Sequence, residues 1–275
     1  MRQQVAPRPR PQWDGERFMW LTPDRLLYVG ILGAPSVRTM GCVTVYMAAQ
    51  GQTRLRIAGG PWRCGRMAVV QPYMPHQVLA ESRLVHVLKI EAETARPGAL
   101  PRPLAANGIV DDARFEARVL GAIADIRAQG AGFEPAASDF DRAFFGAALP
   151  GRRMDPRIQQ VIDAIKRQPS VMAAAEDCAQ QAQLSFSRFL HLFREEVGAP
   201  FRGFRTWKRA RSLLHYVNRD ANLAHVALDT GYPDSTHFSH SIRQIYGMKP
   251  KDIFAGSRRL AIYGSTLPSV LFEHR

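Results

Sequence analysis

One local plan occurs twice in the second half of this sequence, and it restricts that half to small helical bundles. In the first occurrence a short helical pattern over 171–182 runs through Gln183, Leu184 and Ser185 into FSRFLHLFREEVG (186–198). Phe189, Leu192, Phe193 and Val197 recur at helical spacing as one buried stripe, and the Ser185 hydroxyl is a good N-cap for the orphan amides of the next turn. In the second, a helix over 223–230 meets Gly231, Tyr232, Pro233 and Asp234 and continues as STHFSHSIRQIYG (235–247). Gly231 supplies the permissive backbone of a tight turn, Asp234 can cap, and Phe238, Ile242 and Ile245 face the core. The side chains left outward are polar: Ser187, Arg188, His191 and Arg194 in one helix, Ser235, Thr236, Ser239, His240 and Arg243 in the other.

Two short helices at a turn, the second polar on one face, make a helix-turn-helix whose recognition helix lies in a DNA major groove. Residues 152–256 resemble the DNA-binding region of the AraC/XylS family of bacterial transcription regulators, which carries two such units joined by one long helix. The first unit matches through Ala179, Leu184, Ser185, FLHLFREEVG (189–198) and Phe204; the second through VAL (226–228), GY (231–232), HFSHSIRQIYG (237–247) and Pro250. The resemblance implies a sequence-specific regulator of transcription that is not an enzyme and needs no cofactor. Its linking helix would run from Phe204 to Val217, with Trp207, Ala210, Leu213, Leu214 and Val217 packed against both bundles. That helix would hold the recognition helices about one DNA turn, roughly 34 Å, apart. The residues implied to face DNA are Ser185, Ser187, Arg188, His191, Arg194, Arg202, Ser235, Thr236, Ser239, His240 and Arg243, with the arginines on phosphate. Arg205, Lys208, Arg209 and Arg211 of the linking helix read as solvated charge.

Four positions depart from the family pattern. Gln183 stands where a turn glycine is common, His240 where arginine is usual, Ile242 where phenylalanine is usual, and Ile253-Phe254 replace Tyr-Arg. Neutral histidine lacks arginine's charge and bidentate fork, so the second unit is expected to differ from the family in strength or sequence preference.

The first half reads differently. LLYVGIL (26–32), VTVYM (43–47), TRLRI (53–57), RMAVV (66–70) and LVHVLKI (84–90) are short β-branched runs separated by glycine and proline. That spacing belongs to a small sandwich or barrel, and GRMAVVQPYMPHQVLA (65–80) resembles the cupin-like domains found beside such DNA-binding regions. The expected fold is therefore α+β, an N-terminal cupin-like β-barrel or sandwich with connecting helices followed by an all-α domain. Its divisions are a proline-rich basic arm (1–12), a sensing or dimerisation domain (13–94), a linker with connecting helices (95–151), the double helix-turn-helix (152–256) and a tail (257–275). In the linker, Phe115, Val119, Ala122, Ile123 and Ile126 form one helical stripe, which either pairs with a second copy through the 111–129 helix or packs on its own β domain. In the tail, Leu260, Ile262 and Tyr263 read as an extended piece that packs back.

Charge agrees with a polyanionic partner. The chain has 37 Lys and Arg against 24 Asp and Glu, and residues 152–275 hold 19 of the former and 11 of the latter. The three cysteines are far apart, no run approaches the apolar length of a membrane span, and the cytoplasm of a bacterium, at the nucleoid, is the expected site of action. Expected partners are double-stranded DNA, a small-molecule effector, a second copy of the chain, and RNA polymerase if the protein activates; no membrane is expected. Trp62, Tyr73 and His76 are the candidate effector-binding residues. His76 and His86 are the only histidines before position 190, which leaves a metal-dependent cupin enzyme with a nucleic-acid-binding tail short of ligands. A non-specific architectural DNA binder is the other alternative.

Overall fold

The computed structural model describes residues 16–264 except 137, 172–173, 219–220 and 258. The expected basic arm and residues 265–275 of the tail lie outside the described residues. Two sheets form the first half. The larger has the order β10-β1-β2-β8-β3-β6-β9, with β1 Phe18–Leu21, β2 Arg25–Ile31, β3 Cys42–Ala48, β6 Met67–Val70, β8 Leu84–Glu91, β9 Gly108–Val110 and β10 Ala261–Gly264. The smaller has the order β5-β4-β7, made of β4 Thr53–Ile57, β5 Arg63–Gly65 and β7 His76–Ala80. All pairings are antiparallel except that of β1 with β10.

The central strands are apolar on both faces because both faces are covered. Val43, Val45 and Met47 of β3 belong to a core closed by two helices, α2 (Ala113–Gln129) and α3 (Phe140–Phe145). Cys42 and Tyr46 of the same strand face the other way, into a core that also holds Leu55 and Val78 of the small sheet and Trp207, Phe238 and Ile242 of the helical half. A strand buried on both sides loses the alternation by which surface strands are recognised, as VTVYM does.

Residues 95–151 are part of this first unit rather than a connection leaving it. They supply a short helix α1 (Arg102–Ala105), the edge strand β9, and α2 and α3, which are capped by Asp112 and Asp139 accepting from the Phe115 and Arg142 amides. The α2 stripe of Phe115, Val119, Ile123 and Ile126 packs on the chain's own sheet. Of the two readings open in the sequence, the internal one is therefore observed, and the stripe is not free to pair with a second copy. Trp20 stacks among Phe133, Phe140 and Phe144 in the same core, with ring centroids 5.0, 4.9 and 6.1 Å away.

The second half comprises α4 (Pro156–Arg167), α5 (Ala175–Gln181), α6 (Phe186–Val197), α7 (Phe201–Ser212), α8 (Leu223–Asp229), α9 (Ser235–Tyr246) and α10 (Pro250–Ser257). The linking helix is thus α7. It starts directly after Pro200 and tightens at Leu213–His215 into a 3-10 turn, instead of running from Phe204 to Val217. Beyond α10 the chain returns to the first half, where β10 pairs in parallel with β1, Phe18 opposite Ala261. Tyr263 donates to the Gly130 carbonyl at 3.2 Å and meets the Phe18 and Phe133 rings.

The halves are joined by a buried ionic cluster. Glu91 and Glu93, at the end of β8 and just beyond, face α7. Trp207 Nε1 donates to Glu91 Oε2 at 2.7 Å, and Lys208 Nζ bridges Glu91 and, at 2.5 Å, Glu93. Arg211 meets Glu91 Oε1 at 2.5 Å and donates to the Thr22 carbonyl at 2.7 Å. Lys208 and Arg211, expected as solvated charge, are instead 5% and 7% exposed. Burial works against ionising Glu91, but Lys208 and Arg211 override it and hold the carboxyl down at about 2. Glu91→Ala, which leaves buried Arg211 without its carboxylate while Lys208 keeps only Glu93, should lower stability by about 3–5 kcal/mol in denaturant unfolding. Because Glu91 titrates below its ordinary 4.5 when folded, its contribution is complete above that pH and fades as pH falls toward 2. The acid-side loss of stability should therefore be shallower over this window in Glu91→Gln than in the natural chain.

Candidate nucleic-acid interface

Each helix pair is set by its own turn. Between α5 and α6, Gln183 adopts φ +54°, a left-handed backbone that costs a non-glycine residue about 1 kcal/mol. The Leu184 amide then closes on the Ala179 carbonyl at 2.9 Å. Ser185 caps α6 by accepting from the Arg188 amide, and Gly198, at φ +77°, ends it. Phe189, Leu192, Phe193 and Val197 are buried, in a core shared with Ile158, Val161 and Ile162 of α4. Ser187, Arg188, His191 and Arg194 are all exposed on the opposite face.

Between α8 and α9, Gly231 adopts φ +80° so close to the 168–171 turn that a Cβ there would lie 2.2 Å from the Ser170 carbonyl oxygen. Tyr232 hydrogen-bonds Ser241 at 3.0 Å, which fixes the turn against α9. Asp234 caps α9 by accepting from the Thr236 and His237 amides at 2.8 Å, and its second oxygen meets His237 Nδ1 at 2.7 Å. The His237 amide and ring hold the Asp234 carboxyl below its ordinary value. Phe238, Ile242 and Ile245 are buried, whereas Ser235, Thr236, Ser239, His240 and Arg243 are exposed.

The structure therefore brings the outward residues of each unit onto one helical face. Ser185 serves as a cap, and Arg202 stands exposed on the first turn of α7. Some exposed neighbours escaped the sequence reading. Phe186 opens α6 with 45% of its surface exposed, His237 and Gln244 flank the α9 face, and Lys249 and Lys251 join Arg243 around a recess of about 420 Å³ beside it. The signal for the two lysines was their position around Pro250, at the start of the next helix.

The three candidate effector residues are dispersed. Trp62 lies half-buried under Arg54, whose guanidinium is 5.7 Å from its ring centroid, and Tyr73 lines the cleft between the halves. His76 is buried: its Nδ1 donates to the Met74 carbonyl and its Nε2 accepts from Tyr46, both at 2.8 Å. Burial pushes His76 down to about 4, so it is neutral at pH 7. His86 does not join it, because it sits opposite Met47 on the sheet face under α2, whereas Tyr46 points to the other face.

An apolar cavity of about 220 Å³ lies elsewhere, between the large sheet and the second unit. Met19, Leu26, Tyr28 and Tyr46 line one side, and Leu214, Val217, Ile253 and Leu260 the other. Two cations reach it. Lys89 has Met40 Sδ at 3.0 Å as its hydrogen-bond partner and lies over the Trp207 and Tyr246 rings, 5.6 and 5.1 Å from their centroids. Arg38 is 3% exposed, and its Nε has no partner. Burial lowers the Lys89 ammonium to about 8, which leaves it charged at pH 7.

Comparison with known proteins places these features among relatives. A helix-turn-helix domain family model matches residues 178–256. Over 71 residues the chain is 30% identical to the invasion protein InvF of Salmonella typhi and of Salmonella typhimurium, a match that takes in 26% of this chain. It spans about a third of those relatives' length, 33%. Among solved structures, ToxT from Vibrio cholerae O395 aligns with a TM-score of 0.56 at 9% identity, covering 85% of this chain and 98% of ToxT. Unsaturated fatty acid bound ToxT from V. cholerae strain SCE256 aligns with a TM-score of 0.53 at 10% identity, covering 86% and 96%. At such identities the likeness is one of fold, and it extends over both halves.

The turn geometry yields a paired test. Gly231→Ala meets both an unfavourable φ and the Ser170 carbonyl, whereas at Gly59, with φ +75°, nothing lies within 4 Å of the place a methyl group would take. Gly231→Ala should cost about 1–3 kcal/mol more than Gly59→Ala in thermal unfolding, and equal costs would rule out the close approach.

Proposed function

We propose, from the helix-turn-helix domain matched over residues 178–256 and the resemblance of residues 152–256 to the AraC/XylS family, that this chain is a sequence-specific DNA-binding regulator of transcription. The observation that carries the reading is the pair of outward polar faces on α6 and α9, each held by a cap and an apolar stripe buried behind it. Ser187 and His191 read bases in one major-groove segment and Ser235, Ser239 and His240 in the adjacent one, while Arg188, Arg194, Arg202 and Arg243 hold phosphates. Such an activity needs no bond-making step, so the protein acts without catalysis, in the bacterial cytoplasm at the nucleoid. RNA polymerase is its partner where promoter geometry makes it an activator.

The cavity between the halves is the effector site in this reading. ToxT has been solved with an unsaturated fatty acid and with (E)-4-(8-methylnaphthalen-1-yl)but-3-enoic acid, and each joins one acidic group to an apolar body. The cavity of this chain offers matching chemistry: its lining is mostly apolar, Asp252 is the carboxylate among its described lining residues, and Lys89 and Arg38 form no ion pair among the described residues. An organic acid bound there touches both halves at once, and it shifts DNA binding only as far as it prefers one arrangement of them.

Two measurements follow. In footprinting against genomic fragments, discrete protected sites are expected, and protection regardless of sequence would defeat the proposal. His191→Ala should change the preferred base at one position, whereas Arg194→Gln should weaken all duplexes alike and flatten the salt dependence by about one unit. In calorimetric titration with (E)-4-(8-methylnaphthalen-1-yl)but-3-enoic acid, a compact apolar acid, Lys89→Met should bind roughly 10- to 100-fold more weakly. Binding to the natural chain should weaken as pH rises through about 8, where Lys89 loses its proton.

A further inference from the structure

We infer that the cleft between the two halves is a second, sequence-independent DNA contact, in which α7 and the loop between β2 and β3 hold the sugar-phosphate backbone running between the segments read by α6 and α9. The inference rests on the DNA-binding reading above and adds a contribution from the β half to that interface.

The cleft, about 690 Å³, begins at Pro200 and Arg202, directly after α6, and ends at His240 and Gln244 on α9. It therefore spans the interval between the two recognition helices. Two helices in successive major-groove segments leave a minor groove between them, bordered by two rows of phosphates. A contact at this interval meets backbone rather than base edges.

Its charge fits that partner. Arg202, Arg209, His237 and His240 line the cleft, His237 being paired with Asp234, and among the described residues no Asp or Glu lines it. Around α7 the cations divide into two sets. Lys208 and Arg211 turn inward and are neutralised by Glu91 and Glu93, whereas Arg202 and Arg209 form no ion pair among the described residues. The Arg209 guanidinium carbon lies 5.3 Å from the centroid of the Tyr232 ring, and its Nε is buried with no hydrogen-bond partner among the described residues, which leaves the terminal nitrogens for an outside anion. A guanidinium braced on an aromatic face keeps its remaining N–H edge for an anion. Uncompensated cations in a concave, partly buried cleft focus potential toward an approaching polyanion.

The opposite wall belongs to the β half. The Thr39 amide donates to the Gln244 and Ile245 carbonyls at 3.1 and 3.2 Å, so the loop is fastened to the end of the recognition helix. Thr39 and Tyr73 line the same cleft as Arg202 and Arg209, with Tyr73 packed against Gly203 of α7, and the inferred backbone path runs along the mouth of the cleft.

The test measures binding of the full chain to its footprinted duplex, and to a scrambled duplex, across a series of KCl concentrations. Arg202→Gln and Arg209→Gln should each weaken both duplexes by the same factor and flatten the slope of log K against log[KCl] by about one unit. Thr39→Lys should steepen it by about one unit, and phosphate ethylation between the two protected segments should interfere with binding. Ser187→Ala, a base-facing change, should act on the footprinted duplex alone. Thr39 has no part in the DNA contacts assigned to α6 and α9, so its variant decides the matter if loss of the Tyr232 contact unfolds Arg209→Gln. An unchanged slope in Thr39→Lys, with the natural chain binding normally, would overturn the cleft contact alone. A natural chain that binds no duplex would overturn the DNA reading and this inference with it.

Discussion

A carboxylate that cannot be left alone organises this protein. Glu91 is 1% exposed at the end of a central strand, where an unpaired charge would be expensive, and its partners come from one helix of the other half. Trp207, Lys208 and Arg211 converge on it within little more than one helical turn, so α7 is fixed in rotation as well as position. Once α7 is fixed, Leu214 and Val217 beyond it close the cavity, Phe204 reaches back into the first helical unit, and Tyr246 of the second donates to the Ala210 carbonyl at 3.2 Å. Both helix-turn-helix units are thus referenced to the sheet through a single element.

That arrangement joins three surfaces around one helix. One side of α7 meets the acids of β8, its outer side meets the cleft, and the turn that follows it forms part of the cavity lined by Lys89. A molecule in the cavity and a duplex in the cleft would both bear on the same few residues. Coupling between them needs no long chain of intermediaries, because Trp207 touches Lys89 on one side and lines the cleft on the other.

The helical half was legible because its determinants are local. Ser185, Asp234 and Gly231 cap or turn within a few residues of the helices they serve, and the stripes of α6 and α9 lie within single helices. Five strands were legible for the same reason, with TRLRI matching β4 at both ends. β5 and β9, three residues each with a glycine, carry too little pattern to stand out, and β10 owes its existence to β1 at the far end of the chain. Lys208 and Arg211 look like any solvated helix charges until Glu91 and Glu93 are known to lie against them. The cavity was hidden for the same reason: Lys89, Arg38 and Ile253 come from three distant stretches, whereas Trp62, Tyr73 and His76 are near in sequence but diverge in space.

The position of β10 bears on how the chain reaches this state. β9 lies at one edge of the large sheet and β10 at the other, so everything from α2 to α10 is a handle whose two ends are anchored on opposite borders of one sheet. The outer border of β1 is made early in synthesis, yet its partner follows only after the whole handle has been translated. Throughout that interval a nascent chain carries an open strand edge, the kind of surface that pairs readily with a neighbouring chain. The exposure of β1 ends when residues 261–264 pair with it and a four-residue strand becomes the border instead.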